Sequence, residues 1–264
     1  NLQEKKTKIK LNTNIEHNPF LENQLKQLEM QLIATKKRLE NKFKAKKFIV
    51  YFQSFTNTYA PLSTLKALYE KALSFDDVIG LSIGTRTDCV TDDILDYLYE
   101  KSKEQEIWIE YGIQSFFQTT LHKINRADNI ENMRYWIKKT KDKGLNVCGH
   151  LIYGLPDENQ EMMLETFKQT IDLKVDSIKF HPLYVVKNTL LTNEFKKGRF
   201  NPISEELYID TVVQSIINLP QNVSVQRVTA GIDDDTLLSP LWCKNKHQQM
   251  RNIRVKLEEK GFIY

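Results

Sequence analysis

The residues best suited to chemistry in this sequence stand at the ends of apolar runs. Gln53-Ser-Phe-Thr-Asn-Thr58 follows the run 48–52, and Gly84-Thr-Arg-Thr-Asp88 follows 78–83. Glu110-Tyr-Gly-Ile-Gln-Ser115 closes a run that starts at residue 107, with Arg126 shortly beyond. His150-Leu-Ile-Tyr-Gly-Leu-Pro-Asp-Glu158 and Lys179-Phe-His-Pro-Leu-Tyr184 close two more. Glu110, Lys179 and His181 lie inside strand-like runs, where a bare charge is costly and needs a partner or a ligand. Two readings stand for them: internal ion pairing, or a polar mouth shared with Arg86 and Arg126 that receives a ligand. Glu110 and His181 could also serve as acid and base in a hydrolase or lyase. His150 and His181 lie on neighbouring runs without a supporting carboxylate–His spacing, so a hydrogen-bonding or substrate role suits them better than metal ligation.

Elements that would position these groups can be read from periodicity. A β-branched run, a polar loop and a helical stretch recur about six times. Helices are expected at 21–43, from Pro61, from an N-cap at Thr91 to 104, at 130–143 closed by Gly144, at 160–173, at 204–219 and at 245–260. Strands are expected at 7–11, 48–52, 78–83, 107–111, 146–153, 177–185 and 223–228. Alternation of this kind gives a parallel sheet with right-handed crossovers. No GxGxxG follows the first strand, which favours a partial TIM-type barrel over a dinucleotide-binding sheet. The expected fold is therefore α/β, a (βα)6 partial barrel over 1–190 with a C-terminal strand and helix extension over 191–264. Together these form one structural domain. Tyr51, Phe52, Phe55 and Tyr59 are expected in the core, and the lysines of 42–47 on a solvated helix end.

Composition narrows the class. The chain has 264 residues, 41% hydrophobic and 27% charged, with a net charge of +4. No run of about 18 apolar residues is present, so no membrane span is expected. Cys89, Cys148 and Cys243 are far apart and odd in number, which points to a reducing, cytoplasmic setting and no disulfide framework. A lone cysteine is more often a small buried hydrophobe than a nucleophile. The pI of about 8.7 permits RNA as a partner, but no basic stripe interleaved with aromatics singles it out.

Glu110-Tyr-Gly-Ile-Gln-Ser115, Leu121-His-Lys-Ile-Asn-Arg126 and Leu151-Ile-Tyr-Gly-Leu-Pro156 resemble the core of radical S-adenosylmethionine (SAM) enzymes. The similarity is to the subgroup related to oxygen-independent coproporphyrinogen oxidase and the elongator catalytic subunit. Tyr51-Phe-Gln-Ser-Phe-Thr-Asn-Thr-Tyr-Ala60, Ile83-Gly-Thr-Arg-Thr-Asp-Cys89 and Lys179-Phe-His-Pro-Leu-Tyr-Val-Val-Lys187 resemble a small uncharacterised bacterial family within it. The resemblance implies SAM beside a [4Fe–4S] cluster, a 5′-deoxyadenosyl radical that abstracts hydrogen from RNA or a small metabolite, and an electron donor such as flavodoxin or ferredoxin. It places Gln53, Ser54 and Thr56 at the SAM amino group and Glu110 at the ribose or amino group. Gln114 and Arg126 fall near the ribose and carboxylate, and Ile152, Gly154 and Leu155 at the turn beside the adenine. Arg86, Lys179, His181 and Tyr184 would face the substrate. The cysteine loop that binds the family's cluster is expected between Ile15 and Phe20, where this sequence reads Glu16-His-Asn-Pro. No metal ligand is assigned to the residues present. Either a cysteine-bearing stretch belongs there, or the chain is a cluster-less SAM-binding or scaffold protein. The retained Gln53, Glu110, Gln114 and Arg126 favour the former.

Overall fold

The computed structural model describes residues 18–262, so the strand expected at 7–11 and the segment 15–17 lie outside the described residues. Six strands form one parallel sheet: β1 (Phe48–Phe52), β2 (Val78–Thr85), β3 (Glu106–Gln114), β4 (Asn146–Tyr153), β5 (Ser177–Pro182) and β7 (Ser224–Arg227), side by side in that order. The two-residue β6 (Val185–Val186) instead pairs antiparallel with β8 (Leu237–Ser239). Helices α1 (Leu21–Phe43), α2 (Leu62–Leu73), α3 (Asp92–Ser102), α5 (Ile130–Asp142), α6 (Gln160–Asp172) and α8 (Glu205–Ile217) alternate with the strands. The short α4 (Gln118–Lys123) and α7 (Leu190–Lys196) and the terminal α9 (Lys246–Glu259) complete the set. The result is a curled half-barrel of parallel strands with helices outside.

Strand sequences explain their placement. β2 to β5 are buried on both faces and read as near-continuous apolar runs, as parallel strands under helices must. Leu81, Ile83, Ile109, Ile113, Val147, Leu151, Ile178 and Phe180 are inaccessible to solvent. The stripe Leu28, Leu32 and Leu39 of α1 packs against this core only partly, and no residue of α1 is fully buried. Among the described residues β1 is an outer strand, and the groove between it and α1 is open.

Three expectations need correction. The run 177–185 is not one strand. It leaves the sheet at Pro182, because its neighbour β7 has only four residues and proline offers no amide to a ladder. Thr91 stands at the start of α3 with an extended backbone but makes no side-chain cap; Asn129, Asn159, Ser204 and Asn245 do cap their helices. Of the four aromatics expected in the core, Phe52 packs edge-on against Tyr69, but Phe55 is 99% exposed, Tyr59 is exposed and Tyr51 lines a cavity.

Gly80 shows how tightly the sheet is drawn. A Cβ there would lie 2.0 Å from the Glu106 carbonyl oxygen on β3. No side-chain motion relieves a backbone contact, so Gly80→Ala is expected to cost about 3 kcal/mol. Urea titration followed by circular dichroism reads this directly, and an unchanged midpoint would refute it.

Candidate active site at the open end of the half-barrel

The C-terminal ends of the strands surround a cavity of about 350 Å³. Gln53, Thr56, Arg86, Glu110, Gln114, Arg126 and His181 line it, as the sequence suggested. So does His150, a strand-end candidate in the sequence, and so do Tyr51, Phe55 and Arg227, which the sequence did not assign to the site. Ser54 faces the outer groove instead. Ile152, Gly154, Leu155, Lys179 and Tyr184 are not among the lining residues. Gly154 has φ +88°, and a Cβ on it would meet Ile203 at 2.6 Å, so its missing side chain makes room for packing.

The loop after β1 is clamped from below. Asn57 donates its backbone amide to the Gly84 carbonyl at 3.1 Å and its side-chain amide to the carbonyls of Phe52 and Gly84 at 2.9 Å. The Tyr69 hydroxyl donates to the Asn57 carbonyl, and Thr58 donates to the Cys89 carbonyl at 2.7 Å. Between these anchors Phe55 is held at φ +63° with its ring in solvent at the cavity mouth. A bulky residue in that region is strained and persists only where neighbours over-determine it.

A bulge aims the next group. The β3–β4 ladder skips from Gly112 to Gln114, and Gln114 takes φ +69°. The bulge turns the Gln114 amide back over Gly112, where a Cβ would lie 2.6 Å from its nitrogen. Arg126 donates to the Gly112 carbonyl, but its buried Nε has no partner. Burial and then the nearby Arg86 guanidinium lower the Arg126 pKa. Arg86 itself pairs with Asp88, its Nε donating at 2.8 Å.

Glu110 is the centre of the polar floor. It is 1% exposed and accepts from Ser82, from Lys179 and from His150 Nε2, the last at 2.6 Å. Burial pushes its carboxyl up, but the three donors outweigh that and hold its pKa at about 2. The ammonium of Lys179 also lies 4.3 Å from the Tyr51 ring centroid. Internal ion pairing, one of the two readings of Glu110 and Lys179, is thus realised, while Glu110 still borders the cavity. An acid–base role for Glu110 and His181 does not suit this setting. The carboxylate stays ionised, and burial followed by His150 and Arg227 lowers His181 to about 3. The His150 and His181 rings stack with centroids 5.4 Å apart.

Ligand atoms of Glu110, Cys148 and His150 lie within 4.8 Å of one another. Lys179 occupies the same carboxylate, and burial lifts the Cys148 thiol to about 12, so this group reads as a hydrogen-bonded network.

Family models match over most of the chain. Residues 17–170 match the radical SAM superfamily model and 175–259 the radical SAM C-terminal domain. The chain belongs to the radical SAM superfamily. It is 36% identical to the uncharacterised protein YtqA of Bacillus subtilis, over 92% of this chain and 75% of that one. It is 38% identical to the protein YhcC of Escherichia coli, over 83% and 71%. In structure it resembles an archaeal Elp3 of Methanocaldococcus infernus, with a TM-score of 0.73 and 20% identity over 89% of this chain. The chain spans 60% of that structure. Coproporphyrinogen III oxidase (HemN) of Escherichia coli follows at a TM-score of 0.50 and 18% identity, over 75% and 47%. Both likenesses show the shared partial barrel. No helix among the described residues is long and apolar enough to cross a membrane.

Radical SAM enzymes use SAM and a [4Fe–4S] cluster. The cavity fits the first. It offers a guanidinium with an unsatisfied donor, an amide aimed by a bulge, an exposed aromatic and the backbone of Gly84, where a Cβ would press on the Phe52 carbonyl at 3.1 Å. The three cysteines of the chain do not fit the second. Cys148 and Cys243 are buried, Cys89 lies on another loop, and burial raises their thiols to about 12, 12 and 11. Cluster ligands are closely grouped thiolates. The position between Ile15 and Phe20, where such a loop was expected, falls mostly outside the described residues.

Proposed function

We propose that this chain is the SAM-binding barrel of a radical SAM enzyme, with SAM in the cavity at the strand C-terminal ends. The unsatisfied Nε of Arg126 carries the reading, since a buried guanidinium with a free donor suits a carboxylate. Gln114 would hold the ribose or carboxylate beside it. Gln53 and Thr56 would take the amino group, with Ser54 bracing their loop. Glu110, whose oxygens already accept from Ser82, Lys179 and His150, would border the ribose or amino group as part of that network. Ile152, Gly154 and Leu155 would support the adenine from behind. SAM supplies a 5′-deoxyadenosyl group when bound; these residues bind and orient it. The substrate, RNA or a small metabolite, would enter past Arg86 and His181.

The cysteine set favours a second reading, a cluster-less SAM-binding protein. Calorimetric titration with SAM, then anaerobic iron–sulfide reconstitution and reduction, separates the two. Saturable one-to-one binding is expected in either case. Release of 5′-deoxyadenosine supports the enzyme, and its absence in a chain that binds SAM supports the cluster-less protein. A chain that binds no SAM overturns both.

A further inference from the structure

The charges around the cavity do not balance, and the imbalance sits on one wall. Arg86 has Asp88, and Lys179 has Glu110. Arg126 lies within the field of Asp88 and Asp128. Arg227, at the end of β7, lines the same cavity, and among the described residues its side chain forms no ion pair or hydrogen bond. It stands in register beside Lys179, whose carboxylate partner already holds three donors. Two adjacent cations therefore share one acid, and the acid is used.

Two further groups near Arg227 are unsatisfied. His181 Nε2 and the Tyr184 hydroxyl are both buried and both without a hydrogen-bond partner. His181 lines the same cavity as Arg227, Tyr184 lies two residues beyond Pro182 at the end of β5, outside the lining, and the Arg227 charge acts on both. Leaving a buried polar group unpaired costs about 1–3 kcal/mol, so two beside an unpaired cation mark a place built for a ligand. All three can donate: the guanidinium always, the hydroxyl freely, and a neutral imidazole through one ring nitrogen. Three groups able to donate, one of them a permanent positive charge, suit an oxyanion.

We propose that Arg227, His181 and Tyr184 form a second anion subsite, which takes a carboxylate or phosphate of the substrate. This rests on SAM occupying the opposite wall. Arg126 follows β3, whereas Arg227 ends β7, three places along the sheet. The two anion poles thus hold two different molecules across one cavity, with the Glu110 network between them. The substrate is then an anionic compound whose acid group anchors on Arg227 and whose remainder extends toward the SAM wall.

Calorimetric titration of the full chain with inorganic phosphate and with acetate, each with and without saturating SAM, tests this. At least one anion is expected to bind the wild type and to remain bound when SAM is present. Arg227→Gln should weaken that anion at least about tenfold while shifting SAM affinity less than about twofold. Tyr184→Phe should cause a smaller, severalfold loss. Arg227→Lys keeps the charge and guards against misfolding; it should retain weaker anion binding with an unchanged SAM titration. Stronger phosphate binding assigns a phosphorylated substrate, and stronger acetate binding a carboxylic acid. The subsite is overturned if neither anion binds, if SAM displaces the anion, or if Arg227→Gln leaves its affinity unchanged. Arg227-dependent anion binding in a chain that fails to bind SAM would leave the subsite standing and remove the SAM reading instead.

Discussion

Glu110→Gln is expected to destabilise the fold by about 3–5 kcal/mol, a fall in Tm of roughly 10 °C, although glutamine is nearly isosteric. The loss comes from what remains. Lys179 is 6% exposed and would keep its charge with no counter-ion. Ser82 and His150 bond different oxygens of Glu110, so the single amide oxygen of glutamine serves only one of them. The double variant Glu110→Gln with Lys179→Met should therefore recover roughly half of the loss, because it removes the stranded charge. Equal Tm values for the single and double variants would contradict this account. The same network sets the acid response. Glu110 is held at about 2, below its ordinary 4.5, so its stabilisation of about 3 kcal/mol is complete above pH 4.5 and is lost as pH falls toward 2. His181, lowered to about 3 from 6.5, resists charging, so its contribution also fades as pH falls from 6.5 toward 3. Acid unfolding of the wild type should steepen below pH 4.5, and this steepening should be absent in the double variant.

Arg126→Gln is expected to do the opposite: to leave stability nearly unchanged and to weaken SAM by about 2–3 kcal/mol, roughly thirty- to 150-fold in Kd. The guanidinium makes one hydrogen bond, to the Gly112 carbonyl, and leaves Nε buried without a partner. Glutamine can keep the first and removes the second. Asp88 and Asp128 keep Arg86, Thr87 and Asn132 as partners. A group that contributes little to folding and much to a ligand is what a binding residue should look like. Calorimetry with SAM beside a thermal melt gives both readouts. A large drop in Tm with unchanged SAM affinity would make Arg126 a structural residue.

Gln53, Thr56, Arg86, Glu110, Gln114 and His181 were legible because each stands at or near the end of an apolar run, and in a parallel βα fold all such positions meet at one end of the sheet; Arg126, beyond α4, was reached only through the family resemblance and its nearness in sequence. Arg227 escaped that reasoning. It lies on a strand of four residues that the periodicity marks only weakly, and its importance comes from the absence of an acid beside it. His150 was seen, but its bond to Glu110 depends on the β3–β4 register, which places Glu110 opposite Cys148 and Gly112 opposite His150. Phe55 was assigned to the core on its apolar character. The clamps on Asn57 and Thr58 that push it into solvent are contacts to β2 and its following loop, remote in sequence.

Sequence alone determined the order of strands and helices, the end of the sheet that carries polar groups, and the SAM-enzyme motifs, because these depend on local periodicity and on residue types at fixed spacing. Tertiary structure decided which charges neutralise one another. It gave Glu110 to Lys179 and His150, left Arg126 Nε buried without a partner and the Arg227 side chain without an ion pair in the same cavity, and turned Gln114 with a bulge. Pairing across strands is set by register and distance, and a buried charge acquires its meaning only from the neighbours that fail to compensate it.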